Sequence, residues 1–407
     1  MQTNLADFIK HTQEGQEADA ILRKCVHCGF CTATCPTYQL LGDELDGPRG
    51  RIYLMKQVLE GKEATRKTQL HLDRCLTCRN CESTCPSGVQ YGRLVDIGRH
   101  LVEKQVRRPV SERVLRTILK EFLPRKWLFN PAMKLGQIVR PLLPSALKNK
   151  VPAAQSAGVW PKNTHSRKML LLDGCVQPAM SPNINAATAR VLDALGVELI
   201  VAPKVGCCGA IRHHLNDQSG GLEDMRRNID AWWPYVEAGA EAIVMTASGC
   251  GSMVKEYGHL LAQDTFYAKR AQKISELTKD LSEIMPDFEQ ELTNKIGKIN
   301  KRVAYHPPCT LQHGQQIRGK IEGVLKAVGV DVKLCADSHL CCGSAGTYSV
   351  LQSSLATQLR DNKLKNLEAT NPEMIVSANI GCLTHLQSGT QTEVRHWIEL
   401  IDASLKH

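Results

Sequence analysis

Two short stretches of the sequence each contain four cysteines at the same spacing. "CVHCGFCTATCP" places Cys25, Cys28, Cys31 and Cys35 ahead of Pro36, and "CLTCRNCESTCP" places Cys75, Cys78, Cys81 and Cys85 ahead of Pro86. Four thiols this close together form disulfides, a zinc site or an iron–sulfur site. Which of these the protein uses decides the chemistry that it performs.

The expected compartment argues against disulfides. The first residues, "MQTNLADFIKHTQEGQEADA", have neither the basic start nor the apolar run of a signal peptide. The sequence has no run of about 18 consecutive apolar residues, which a membrane-spanning helix would need. We therefore expect a cytoplasmic protein, and in that reducing compartment metal ligation explains the 17 cysteines better than cross-links do.

The spacing C-x2-C-x2-C-x3-C-P is typical of the ligand runs of bacterial two-cluster ferredoxins, in which the fourth cysteine of each run binds the cluster of the other run. The pattern predicts two [4Fe–4S] clusters, one held by Cys25, Cys28, Cys31 and Cys85 and the other by Cys75, Cys78, Cys81 and Cys35. A zinc ribbon is the alternative. It uses two C-x2-C pairs and leaves the third cysteine and the Cys-Pro ending unexplained.

Residues 36–74 separate the two runs, a longer insertion than a minimal ferredoxin has. An apolar pattern over 52–59 predicts a helix within it. The insertion resembles the helical ferredoxin module of succinate dehydrogenase-type iron–sulfur subunits. Four arginines lie near the runs, and we expect them mainly on the surface in solvent: Arg49, Arg51, Arg74 and Arg79.

The distribution of the cysteines divides the chain of 407 residues. Eight lie between positions 25 and 85, none between 86 and 174, and nine between 175 and 382. The length and a hydrophobic content of 43% predict two or three domains with substantial cores. We expect a two-cluster ferredoxin-type domain over 1–102, a linker over 103–165, and two cysteine-rich repeats over 166–290 and 291–407.

The repeats are recognised by their spacing. In each, 31 residues separate the first cysteine from a Cys-Cys-Gly motif, and 41 or 39 further residues lead to the last cysteine. Runs rich in Val and Ile alternate with helical patterns such as 186–195 and 317–328, which predicts parallel α/β units. Sites in such sheets form beyond the carboxyl ends of strands, so we expect two convergent sets: Cys175, Cys207, Cys208 and Cys250, and Cys309, Cys341, Cys342 and Cys382.

This pair of motifs behind a ferredoxin run resembles the cysteine-rich CCG family, which includes subunits of heterodisulfide reductase, anaerobic glycerol-3-phosphate dehydrogenase, lactate-utilisation proteins and glycolate oxidase. With the ferredoxin module at the N-terminus, the chain is most similar to iron–sulfur subunits of glycolate oxidase (glycolate dehydrogenase). The resemblance implies an α+β and α/β fold, in which a helical two-cluster [4Fe–4S] ferredoxin domain precedes a duplicated α/β CCG domain. It also implies electron transfer to the quinone pool from a partner flavoprotein that oxidises glycolate to glyoxylate.

The repeats depart from the heterodisulfide reductase pattern at their ends. That pattern closes each repeat with C-x2-C, whereas Met253 and His385 stand three residues after Cys250 and Cys382 here. Each repeat thus keeps four thiols instead of five, which still suffice for a cluster or a zinc ion. A third cluster, a zinc ion, a quinone pocket and a fold without metal all stay open for the repeats.

The chain has no G-x-G-x-x-G motif after a predicted strand, so we expect no flavin or nicotinamide site on it. Substrate oxidation by hydride loss needs such a cofactor, and we expect FAD on a partner subunit of a hetero-oligomeric complex. The isolated chain then has no catalytic residue and no substrate-oxidising activity. The alternatives are the equivalent subunit of a glycerol-3-phosphate or lactate dehydrogenase, and a thiol/disulfide reductase acting at a CCG cluster.

The net charge of +10 is concentrated in residues 103–150, which contain twelve Lys/Arg and three Glu. An apolar stripe over 110–123 predicts a basic amphipathic helix, which packs on a protein surface or lies on an anionic membrane. We favour packing for the helix itself. The resemblance to quinone-linked proteins predicts peripheral attachment at the cytoplasmic side of the inner membrane. With 5% aromatic residues and no recognition module, nucleic-acid binding is not expected.

Overall fold

The computed structural model describes residues 1–144, 148 and 151–406, and its N-terminal part is built from helices. They are Asp7–Lys10, Gln13–Lys24, Phe30–Ala33, Pro36–Leu41, Pro48–Leu59, Arg66–Asp73, Asn80–Thr84 and Tyr91–Gln105, with a 3-10 turn at Glu44–Asp46. The helix predicted over 52–59 is confirmed and begins at Pro48, whose fixed φ suits the first turn of a helix. Met55 lies at the centre of the apolar core that these helices share.

The C-terminal part contains two four-stranded sheets of the same parallel topology. Strands β1 Arg167–Leu171, β2 Val197–Ile200, β3 Ile243–Met245 and β4 Thr278–Asp280 form the first, in the order β2-β1-β3-β4. Strands β5 Arg302–Tyr305, β6 Asp331–Leu334, β7 Met374–Ser377 and β8 Val394–His396 form the second, in the order β6-β5-β7-β8. The predicted duplication and the predicted parallel α/β fold are confirmed.

Helices connect the strands and cover the sheets. The predicted helical patterns 186–195 and 317–328 correspond to Asn183–Ala194 and Lys320–Ala327. The others are Gln177–Met180, Ala210–His214, Gln218–Glu237, Ser248–Val254, Tyr257–Leu260, Ala268–Leu277, Leu281–Ile284, Glu289–Lys295, Tyr348–Leu351, Ser353–Glu368, Ile380–Gln387 and Trp397–Asp402, with a 3-10 turn at Met285–Phe288 and a π-helical turn at Thr310–Gly314.

The two repeats share one apolar core, which extends from Met169 to Trp397. Polar contacts fix their orientation around that core. Arg190 of the first repeat donates to both carboxylate oxygens of Asp402, at 2.8 and 2.6 Å. Nε2 of the buried His396 donates to the carbonyl of Thr246 at 3.0 Å. The strands of both repeats are therefore held in a fixed relation, which positions the loops that carry the cysteines.

Two helices of the linker, Val110–Phe122 and Lys126–Val139, follow the ferredoxin domain, with a 3-10 turn at Arg140–Leu142. The helix Tyr91–Gln105 runs past the boundary predicted at 102, and the boundaries stay predictions. The apolar stripe of Val110–Phe122 is turned outward, since Val110, Val114 and Ile118 are exposed. The stripe thus does not pack against the chain's own domains, although Leu119 is buried, and packing against a partner subunit stays a prediction.

The outward orientation has an electrostatic cause. Arg116 on the opposite side of the helix pairs with the partly buried Asp73 at 3.1 Å, and Lys120 lies 3.6 Å from Asp217 of the first repeat. Ion pairs thus hold the charged side of the helix against the protein and leave its apolar side in solvent. Among the helices of residues 1–144 and 151–406, no helix is long and apolar enough to cross a bilayer.

Candidate metal centres

The structure brings together Cys25, Cys28, Cys31 and Cys85, here called the surface set. All four line one cavity. Burial, together with the nearby thiols of Cys25, Cys28 and Cys85, raises the pKa of Cys31 to about 11. These are the four residues that the crossed ligand pattern assigns to one cluster. Cys28 is exposed, so this set lies at the molecular surface.

The remaining ferredoxin cysteines, Cys35, Cys75, Cys78 and Cys81, also converge and are here called the interior set. Burial raises the pKa of Cys81 well above its usual range, and the thiols of Cys78, Cys75 and Cys35 add to the shift. Cys35, Cys75 and Cys81 are buried. Cys81 also lines the cavity of the surface set, so the two sets adjoin.

The backbone of the two runs follows the same path. In each run the residues two and four positions after the first cysteine have positive φ: His27 and Gly29 at 60° and 87°, Thr77 and Arg79 at 53° and 58°. Three of these four residues are not glycine, and each such conformation costs on the order of 1 kcal/mol or more. The turns direct consecutive thiols toward one point, as ligation of a single cluster requires.

One arginine near the runs lies in the interior of the protein, against expectation. Arg51 is only 1% exposed, and its Nη1 lies 4.0 Å from the Sγ of Cys35. Asp46, which is fully buried, accepts from Arg74 at 2.7 Å and pairs with Arg51 at 3.5 Å and with His71 at 3.0 Å. A buried positive charge therefore lies beside the interior set, and Asp46 holds it there.

The cysteines of each repeat also converge, beyond the carboxyl ends of the first three strands of its sheet. In the first repeat, neighbouring thiols are in hydrogen-bonding contact along the series Cys175, Cys207, Cys208 and Cys250. In the second repeat, the same contacts run along Cys309, Cys341, Cys342 and Cys382. Cys335 lies outside both sets and is buried.

The set of the second repeat adjoins the interior set. Cys78 packs against the apolar cluster that contains Cys309, Cys341 and Tyr348. Asn80 donates to the carbonyl of His339 at 3.1 Å, and the imidazole of His313 lies 3.0 Å from the hydroxyl of Ser83. The second ferredoxin run is therefore docked on the second repeat, with thiols on both sides of the contact.

Sequence reasoning missed His306, which belongs to the second-repeat set. One ring nitrogen of His306 and the Sγ atoms of Cys342 and Cys382 all lie within 4.8 Å of one another. Burial lowers the pKa of His306 well below its usual range, so the ring is neutral. The comparison of "VAYHPPC" with "MLLLDGC" contained the signal, because it places His306 opposite Leu172.

A cavity of about 270 Å³ lies between the ferredoxin domain and the first repeat. Cys78 of the interior set lines it, together with Asp96, His213 and His214. Although burial opposes ionisation, His214 and His213 hold the pKa of Asp96 well below its usual range. The cavity thus combines a thiol of the interior set with the carboxylate of Asp96 and the two imidazoles.

Comparison with known proteins agrees with this architecture. Residues 21–89 match the family described as a 4Fe-4S dicluster domain, and residues 169–255 and 303–387 match the family described as a cysteine-rich domain, CCG. The chain is 56% identical over 407 residues, the full length of both, to the glycolate oxidase iron-sulfur subunit of Escherichia coli K12. It is 29% identical to the probable glycolate oxidase iron-sulfur subunit of Bacillus subtilis 168, over 95% of this chain and 92% of that one. Lactate utilization protein A of Bacillus licheniformis is 25% identical over 58% of this chain and 99% of its own length.

Proposed function

The chain belongs to the family of glycolate oxidase iron–sulfur subunits, and on that premise we propose that it is the electron-transfer subunit of a flavin-dependent glycolate dehydrogenase. In this proposal a partner subunit oxidises glycolate to glyoxylate with FAD. The present chain passes the two electrons, one at a time, to a quinone. The observation that carries the proposal is the convergence of the eight ferredoxin cysteines into two adjoining sets of four.

The donor chemistry of both sets fits a [4Fe–4S] cluster, which carries one electron when bound. Cys25, Cys28, Cys31 and Cys85 would hold one cluster, and Cys35, Cys75, Cys78 and Cys81 the other. Metal binding requires thiolates. The hydrogen bond at 3.4 Å from the N–H of Thr77 to the Sγ of Cys75 stabilises that form. The sets of the repeats are proposed as further metal ligands, in at least one repeat.

A separate flavoprotein is part of the proposal because oxidation of a 2-hydroxy acid removes two electrons and two protons together. One-electron carriers do not accept a hydride. The entry point for electrons is placed at the surface set, where Val26 and Phe30 are 69% and 62% exposed. Two large apolar side chains in solvent beside a candidate cluster suit a contact with a partner protein.

The quinone is placed in the cavity beside Cys78. Reduction of a quinone to a quinol consumes two electrons and two protons, and Asp96, His213 and His214 line that cavity. The outward apolar stripe of Val110–Phe122 is proposed to bind the membrane that contains the quinone. The two features are neighbours, because Lys120 of this helix lies 3.6 Å from Asp217, close in sequence to the two histidines. The flanking excess of Lys/Arg favours the anionic cytoplasmic leaflet of the inner membrane.

The test is purification of the chain alone and together with its flavoprotein partner. We expect the chain alone to contain about eight iron atoms or more, to be free of flavin and to be inert toward glycolate. The complex should reduce a quinone with glycolate. Glycolate oxidation by the isolated chain, or about four or fewer irons after anaerobic reconstitution, would overturn the proposal. Lactate or glycerol 3-phosphate as the preferred substrate of the complex would keep the electron-transfer role and reassign the enzyme.

A further inference from the structure

His306 is a buried histidine whose ring has no hydrogen-bond partner among the described residues. Its exposure is 0%, and among the described residues neither Nδ1 nor Nε2 makes a hydrogen bond. More than nine in ten buried polar groups in proteins have a partner, and leaving one without costs about 1–3 kcal/mol. An imidazole placed so deeply without a partner needs a reason in its surroundings.

Other buried histidines of this chain do not share this property. Nε2 of His396 donates to the carbonyl of Thr246, and Nδ1 accepts from the N–H of Ile398 at 3.3 Å. His313 contacts the hydroxyl of Ser83 and the carbonyl of His339, at 3.0 and 2.9 Å. The fold therefore provides partners for buried imidazoles elsewhere, and the lack of one at His306 is specific to its position.

The atoms nearest to this ring are metal-ligand atoms. A ring nitrogen of His306 lies within 4.8 Å of the Sγ atoms of Cys342 and Cys382, which are themselves within that distance of each other. Nδ2 of Asn379 donates a hydrogen bond to the Sγ of Cys382 at 3.5 Å, and the N–H of Gly343 donates one to the Sγ of the neighbouring Cys341 at 3.4 Å. Such bonds stabilise thiolates, the form that binds metals.

A buried cation also acts on the thiols of the second repeat. Lys363 is 3% exposed, and its ammonium group donates to the carbonyl of Asp337 at 2.5 Å. Contact with Cys341 and burial raise the pKa of Cys309, and Lys363 opposes that rise. A group of thiolates is a concentrated negative charge, which a buried lysine partly neutralises.

The first repeat has the thiols without these additions. Leu172, which is buried, stands where His306 stands in the second repeat. The helix Gln218–Glu237, which corresponds to the helix that contributes Lys363, provides the uncharged Asn228, whose amide donates to the carbonyl of Cys207 at 2.7 Å. At this position the first repeat thus has an amide in place of the buried ammonium group.

We propose that the second repeat holds a third metal centre, with the imidazole of His306 and the thiolates of Cys309, Cys341, Cys342 and Cys382 as ligands, and that the first repeat holds no equivalent centre. Mixed imidazole and thiolate ligation is taken by zinc and by iron–sulfur clusters. The centre adjoins the interior set through the contact of Cys78 with Cys309 and Cys341. The inference rests on the proposed function, which assigns a metal to at least one repeat; it names that repeat and adds the imidazole of His306 as a ligand.

The test is metal analysis of the full-length chain after anaerobic purification and reconstitution with iron, sulfide and zinc. Wild-type protein should contain either iron clearly above the about eight atoms of two clusters or about eight irons and about one zinc. Cys382→Ala and His306→Leu should lose the metal above the eight irons. The matched control is Cys250→Ala, which removes the corresponding thiol of the first repeat and should keep that metal.

Spectroscopy of the wild-type protein identifies the centre and needs no variant. If it contains iron, electron spin-echo spectra should show nitrogen coupling from an imidazole, and this coupling should change when histidine is labelled with ¹⁵N. If it contains zinc, X-ray absorption at the zinc edge should show a first shell of nitrogen and sulfur. Unchanged EPR signals of the two ferredoxin clusters in the variants would show that they fold.

Three results would overturn the inference. They are a wild-type protein without metal beyond about eight irons, equal loss of the third metal in Cys250→Ala and Cys382→Ala, and a bound metal with sulfur ligands alone. None of these results bears on the proposed electron-transfer role, which depends on the eight ferredoxin cysteines.

Discussion

The surface set and the interior set have the same spacing, the same backbone turns and opposite surroundings. Cys28 of the surface set is exposed and has the exposed Val26 and Phe30 for neighbours. The interior set lies between the buried Arg51 and the second repeat. The local spacing brings three thiols of each run together, whereas tertiary contacts supply the fourth and decide which set a partner protein reaches. This difference predicts the direction of electron transfer, from the surface set through the interior set toward the repeats.

The largest effects are expected from the removal of one ligand of each set. Cys31→Ala and Cys78→Ala should each lose about four irons and abolish glycolate-dependent quinone reduction by the complex. The two variants differ in how far electrons travel. With the flavoprotein and glycolate present, Cys78→Ala should still show a reduced cluster signal from the surface set, whereas Cys31→Ala should show none from either set.

Freeze-quenched EPR of the complex after addition of glycolate measures this difference. Dithionite serves as the control, because a small reductant should still reduce the remaining cluster of Cys31→Ala directly. If glycolate reduced the interior set of Cys31→Ala at an undiminished rate, electrons would not enter through the surface set. This result would contradict the proposed direction of electron transfer.

The next largest effect is expected at the apolar surface formed by Val26 and Phe30, where electrons are proposed to enter. Replacing both Val26 and Phe30 by Asp places charge in an apolar contact, and loss of a central interface side chain costs about 2 kcal/mol or more. We expect the affinity of the chain for its flavoprotein to fall at least about 30-fold, with iron content unchanged. Titration with the purified flavoprotein measures it. Phe266→Asp is the matched control, since Phe266 is 70% exposed on the first repeat. This variant should bind the flavoprotein with wild-type affinity.

Replacing the arginine beside each set should have a smaller effect, on the reduction potential, and the two shifts should differ in size. Arg51→Met removes a buried positive charge beside Cys35 and should lower the reduction potential of the interior set, because the reduced cluster carries the additional negative charge. Arg49, beside the surface set, is partly exposed and paired with Glu44 at 2.6 Å. Its replacement by Met should shift the potential of the surface set much less, since solvent screens that charge.

Redox titration followed by EPR separates the two potentials. Arg51→Lys keeps the charge and should retain most of the wild-type potential, which distinguishes an electrostatic effect from a change in packing around Asp46. Equal shifts in Arg49→Met and Arg51→Met would show that burial does not distinguish the two sets.

Much of this arrangement could be predicted from the sequence, because its information is local or repeated. The spacing in each run fixes which thiols meet, and the duplicated motif predicts two equal sheets. Strands β4 and β8 escaped prediction because "TKD" and "VRH" are short and polar. The burial of Arg51 escaped it because contacts such as that with the carbonyl of His71 form only in the folded domain, and a buried charge leaves no periodic pattern in the sequence. The role of His306 escaped it because Cys342 and Cys382 approach the ring only in the folded repeat. The side of the helix Val110–Phe122 that faces the protein was not predicted, because the ion pair of Arg116 with Asp73 is likewise long-range.

The smallest expected effect concerns the contact that makes one set interior. His313 joins Ser83 of the second run to the carbonyl of His339, and burial lowers the pKa of His313 from 6.5 to about 4. The unfolded chain therefore takes up a proton as the pH falls below about 6.5, while the folded protein does not until about 4. The contribution of a neutral His313 to stability is complete above this range and declines through it by at most about 1.4 kcal/mol per pH unit.

His313→Gln keeps polar contacts and does not titrate, so its free energy of unfolding should fall less steeply than that of the wild type between pH 7.5 and 5.5. Denaturant unfolding of the iron-loaded proteins measures both slopes, and parallel slopes would show that the docking of the second run does not depend on a neutral imidazole.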